Sequence, residues 1–146
     1  MIFLQAAARA NGLAAALLEL VEISGLELFV SEACLEELCD FLRRPTLQHK
    51  FPTLTESTVH DFLNRIQVCS VSMGNVAPSF EFERDPKDAE YIDLAIACKA
   101  EYLVTRDKDL LEMRELDNPL LPVLEKLNSQ CKIVDPVEML TFLRNR

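Results

Sequence analysis

The sequence predicts an α/β layer structure built on a mainly parallel sheet. Short apolar segments, LELFV at 26–30, YLV at 102–104 and CKIV at 131–134, alternate with longer amphipathic ones. Helix-start residues stand directly behind them: Ser31 behind the first, Asp135-Pro136 behind the last. The chain has 146 residues, 49% apolar and 27% charged, which suits one domain with a core of its own.

Residues 2–10 read as one or two helical turns, broken by Asn11 and Gly12. A strong helix follows at 13–24, with Leu13, Leu17, Leu20, Val21 and Ser24 at helical spacing and Gly25 as C-cap. This N-terminal region has no basic start, and Arg9 and Asn11 interrupt its apolar run, so it reads as retained helix and not as a signal peptide. Glu19 and Glu22 exclude a membrane span.

Behind the strand at 26–30, Ser31 is an N-cap with Glu32 in the first turn of a helix that Pro45 stops. Residues 55–69 form another amphipathic helix, with Val59, Phe62, Leu63, Ile66 and Cys69 on one face. Residues 70–84, with Gly74, Pro78 and the alternating SFEFER, read as a loop or weak strand. Asp85 caps and Pro86 opens a helix running to about Lys99, with Ile92, Ala95, Ile96 and Lys99 along one side. After the strand at 102–104, NPLLPVLEKLN predicts a helix broken early by Pro122. The strand CKIV and the helix DPVEMLTFLRN close the chain. Leu120, Leu121, Val123 and Leu124 suit the core better than an interface.

Net charge is −9, from 24 acids against 15 bases. A duplex-coating protein would be basic, so simple nucleic-acid coating is a poor reading, whereas a nuclease is compatible because bound divalent cations reverse the local charge. The five cysteines have no C-x-x-C spacing and an odd count, which argues against both a disulfide framework and zinc and suits a reducing cytoplasm. With three glycines and no Gly-rich loop, a phosphate-cradling P-loop has no support.

In a parallel sheet, ligands gather beyond the carboxyl ends of the strands. Acids stand at three such junctions: Glu32, Glu36 and Glu37; Asp85 and Asp88; Asp107 and Asp109. Oxygen-only donors without histidine suit Mg²⁺ or Mn²⁺. Taken singly, Asp85 reads as a cap, Asp88 as a first-turn acid, and Asp107 and Asp109 as a turn and a cap. Glu36 reads as a solvated helix residue and Asp93 as a surface acid, while Glu37, beside Leu38, falls within the apolar side of its helix.

The joint pattern resembles the PIN-domain nucleases, in particular the branch of toxin components of toxin–antitoxin systems. RDPKDAEYIDLAIACKAEYLVTRDKDLL at 84–111 carries the likeness most strongly, followed by LELFVSEACLEELCDFLRRPTL at 26–47 and the helix at 55–69. The resemblance implies a three-layer α/β/α fold, an acidic pocket binding Mg²⁺ or Mn²⁺, and cleavage of RNA. It assigns Glu37, Asp88 and Asp107 as catalytic metal-binding acids, Asp109 as an accessory metal acid, and Thr105 as the hydroxyl residue that orders the loop. Arg106 and Lys108, flanking Asp107, are candidate contacts to the RNA backbone. The family begins with a strand ending in Asp-Thr-Asn, and Met1 falls about where the asparagine would be. The expectation is therefore a single domain over 1–146, truncated at its N-terminus, with an upstream stretch supplying the first aspartate.

Two functions follow. One is a metal-dependent ribonuclease in the cytoplasm, with an antitoxin protein and a second copy of the chain as implied partners and no membrane. Without the first aspartate, such a chain would bind metal weakly or be inactive. The other is a degenerate, non-catalytic module that docks a protein or nucleic-acid partner.

Overall fold

The computed structural model describes residues 2–145. Met1, matched above to the asparagine of the family motif, lies outside them. The chain divides into two compact units, residues 2–75 and 76–145 among those described.

The first unit holds α1 (Ile2–Ala8), α2 (Leu13–Ser24), β1 (Leu28–Ser31), α3 (Glu32–Leu42), α4 (Pro45–Lys50), α5 (Glu56–Cys69) and β2 (Ser70–Met73). β1 and β2 pair in parallel, Leu28 opposite Ser70 through Ser31 opposite Met73. Ser31 caps α3 by accepting a 3.1 Å hydrogen bond from the Cys34 amide. Gly25, at φ 69°, ends α2 in the left-handed region where a side chain would be strained.

One expectation is extended here and one corrected. Pro45 both follows the end of α3 and opens α4, because proline without an amide hydrogen is well placed at the first helical position. The buried side of α2 is Ala14, Ala15, Leu17 and Leu18, whereas Leu13 is exposed. Ala6, Ala14 and Ala15 form one cluster, so α1 and α2 approach through small side chains.

The second unit holds α6 (Pro86–Ala97), β3 (Tyr102–Val104), α7 (Lys108–Glu112), α8 (Leu121–Leu127), β4 (Lys132–Val134) and α9 (Pro136–Arg144). β3 and β4 are parallel, with Tyr102 opposite Lys132 and Val104 opposite Val134. The α/β class and the parallel pairing are as the sequence predicts. The core gathers Phe80, Phe82, Ala89, Ile92, Leu110, Met113, Leu124 and Ile133.

Here the corrections concern helix ends. Pro122 lies in the first turn of α8 and does not break it. α6 ends at Ala97, and Lys99 takes a positive φ of 52°, so it does not continue the helical side. The SFEFER segment forms no strand, yet Phe80 and Phe82 are both buried. Of the apolar group in α8, Leu124 is buried and Val123 is 45% exposed, so that group divides between core and surface.

Candidate active site

The second unit brings four acids to one end of its strands. β3 ends at Val104, and the Thr105 amide still donates to the Val134 carbonyl at 2.9 Å. The next turn is tied by side chains. Thr105 is buried, and its Oγ1 accepts from the Asp107 amide at 3.0 Å. Asp107 caps α7, its Oδ1 accepting from the amides of Asp109 at 2.8 Å and Leu110 at 3.3 Å. Thr105 thus fixes the backbone of Asp107, and the cap fixes its carboxylate. The cap is thus Asp107, with Asp109 in the first turn, where the sequence suggested a turn and then a cap, and the second oxygen of Asp107 lies outside those bonds.

Asp88 enters from α6. Asp85 caps that helix, its Oδ1 accepting from the Lys87 amide at 3.0 Å, and Pro86 opens it. Asp88 then falls in the first turn, half-buried. Burial raises its pKa to about 6, and the negative charges of Asp107, Asp85 and Asp109 push the same way. Three carboxylates therefore act on Asp88. A hard cation would relieve that repulsion, and it needs only one or two carboxylates with its remaining positions held by water. Among the described residues, no group of three or more His, Cys, Asp and Glu side chains forms a ready cation cage. The donor chemistry of Asp88 and Asp107 fits a Mg²⁺- or Mn²⁺-type ion.

Arg106 and Lys108, the candidate contacts to the RNA backbone, stand on either side of Asp107 where β3 leads into α7. Both are exposed. Arg84 reaches two acids: its Nη1 lies 3.0 Å from Asp109 Oδ1 and 2.6 Å from Glu112 Oε2. In the sequence Arg84 flanks Asp85, among the bases near the acids that could hold an RNA backbone, but its link to Asp109 and Glu112, across 25 and 28 residues, leaves no local signal.

Asp93 corrects the surface reading. It is 5% exposed, and its Oδ1 accepts three bonds of 2.8 Å, from the Ser79 amide, the Ser79 hydroxyl and the Phe80 amide. The sequence held a clue, since Asp93 is the one charged residue in YIDLAIA at 91–97.

Glu37 belongs to the first unit. It is exposed on α3, whose buried residues are Leu38 and Leu42. A turn of about 100° per residue carries Glu37 off the line of those leucines, so its neighbour's burial does not extend to it.

A PIN-domain family model matches residues 1–109. The chain belongs to the PIN-domain family, whose general class of function is that of nucleases. The matched span includes Glu37, Asp88, Thr105, Asp107 and Asp109. No curated protein and no solved structure matches the chain.

Proposed function

We propose that this protein is a Mg²⁺- or Mn²⁺-dependent endoribonuclease, with Asp88 and Asp107 as the acids that hold the cation. The observation that carries the reading is the Asp88 carboxyl group, raised to about 6 by burial and by three neighbouring aspartates. Such crowding of like charges is costly without a counter-ion, and perturbed carboxyl groups of this kind concentrate at functional sites.

When bound, the cation supplies an activated water and neutralises charge on the phosphate under attack. The protein's own residues orient and maintain the site. Thr105 holds the turn, and the α7 cap presents Asp107 in one orientation. Asp109 stands behind the pair, engaged by Arg84. Glu37 is read as a metal-binding acid from the family likeness alone, and Glu37→Gln tests it independently. Service as the toxin of a toxin–antitoxin pair, with its antitoxin and a homodimer as partners, is the finer form of this reading, and it too rests on likeness alone.

The test is cleavage of an end-labelled single-stranded RNA in Mg²⁺ by the full chain, by Asp88→Asn and by Asp107→Asn. Each substitution is expected to slow cleavage by roughly 100-fold, the scale for removing one preorganised electrostatic group. Equal cleavage by all three proteins would refute the site. The second reading, a non-catalytic binding module, is favoured by the lack of a ready three-donor cage among the described residues. It predicts no saturable Mn²⁺ binding in a calorimetric titration, whereas the ribonuclease predicts binding that Asp88→Asn weakens.

A further inference from the structure

Arg84 stands beside the acids of this site, and the chain on either side of it is anchored. The segment before it carries Phe80 and Phe82, each 4% exposed in the core of the second unit. Asp93 captures the Ser79 and Phe80 amides and the Ser79 hydroxyl. The backbone is thus anchored at 79, 80 and 82, two residues short of Arg84, and Asp85 immediately after it caps α6.

The guanidinium is oriented by two solvent-open ion pairs. Nη1 is shared between Asp109 and Glu112, while Nε and Nη2 make no hydrogen bond among the described residues. The side chain is 58% exposed. A guanidinium carries five N–H donors in a rigid fork that matches a phosphate bidentately. With one corner pinned, the other donors are held ready at little cost in rotamer entropy.

We propose that Arg84 grips a backbone phosphate of the RNA through Nε and Nη2 while Nη1 stays on Asp109 and Glu112. The inference rests on the ribonuclease reading. It makes Arg84 a substrate-binding residue, with Asp109 and Glu112 positioning it. On a chain of net charge −9, a fixed cation beside the acids also gives an anionic strand a place to land.

The test measures binding and cleavage separately. Fluorescence anisotropy of a labelled single-stranded RNA, in Ca²⁺ and over a range of KCl, is recorded for the full chain, R84A and R84K. R84A is expected to bind about 3- to 10-fold more weakly, with the salt slope reduced by about 0.7, the share of one phosphate contact on a single strand. R84K keeps the charge but not the fork and is expected to recover the slope and only part of the affinity. Circular dichroism melts of the three proteins should coincide, since the ion pairs lost are open to solvent. R84A matching the wild type in affinity and slope, or neither binding RNA, overturns the contact; R84K matching the wild type in affinity overturns the forked grip. D88N cleaving like the wild type in Mg²⁺ refutes the nuclease site instead, whatever R84A does.

Discussion

Asp88 and Asp93 lie five residues apart on one helix and are handled in opposite ways. Asp93 is buried, but three donors converge on one of its oxygens. Asp88 is more open, yet its surroundings disfavour its charge. Asp93→Ala would orphan the buried Phe80 amide and release the Ser79 turn, for a loss of about 3 kcal/mol. Asp93→Asn keeps an acceptor and should recover more than half of it. Urea unfolding followed by far-UV circular dichroism measures both, since the chain has no tryptophan. Asp88 points the other way. Its folded-state pKa of about 6 exceeds the ordinary 3.8, so the folded state binds its proton more tightly than the unfolded state does. The resulting contribution to stability is fully present below about 3.8 and lost as pH rises through about 6. Asp88→Asn should therefore be more stable than the wild type at pH 7.5 in metal-free buffer, by on the order of 1 kcal/mol after discounting for solvent screening. The two should converge near pH 4, and melting curves at the two pH values check the sign.

Among the elements, helix starts were the most legible and helix faces the least. A cap is local chemistry within four residues, so Ser31, Asp85 and Asp135 could be read directly. Asp135 goes further: its Oδ1 accepts from the Val137 and Glu138 amides at 2.7 and 2.9 Å, and the Glu138 carboxylate accepts from the Asp135 amide at 2.8 Å. Glu138 also meets Arg114 at 2.6 Å. The Asp135 amide, then Arg114, holds the Glu138 carboxyl below its ordinary pKa. Asp135→Ala is expected to cost about 1 kcal/mol, the usual loss for an N-cap, and Asp135→Ser to recover most of it. Pro122 misled, and the opening of α4 by Pro45 was missed, because a proline that stops one helix and a proline that opens the next look alike until a cap is found beside them. Neither Arg44 nor Leu120 gives its helix a side-chain cap. The α2 face misled because alanines at 14 and 15, and not the larger Leu13, take the buried side. Small residues win where another helix comes close, and that is a fact about the partner surface.

At the scale of the whole molecule, the net charge of −9 governs how the protein meets its surroundings. The class of fold was legible because the alternation of apolar strands and amphipathic helices is written in periodicity alone. The acids behind β3, Asp107 and Asp109, were legible for the same reason, whereas Asp85 and Asp88 follow a segment that forms no strand. What periodicity could not give was the pairing of charges, such as Arg84 with Asp109 and Glu112 across 25 and 28 residues. Self-repulsion in an acidic chain is relieved by any salt, but relief at a site is specific to its ion. KCl should therefore raise the melting temperature smoothly in the wild type and in Asp88→Asn and Asp107→Asn. MgCl₂ at matched ionic strength should raise it further in the wild type, through a stabilisation that grows with concentration and reaches about 2.7 kcal/mol at a hundred times the dissociation constant. The two variants should lose most of that extra stabilisation while keeping the KCl response. Asp88→Asn, more stable than the wild type without metal, should then be the less stable protein at saturating Mg²⁺. A crossing of the two curves is the signature of carboxylates kept together for a cation, because a merely repulsive cluster would leave the variant ahead at every concentration.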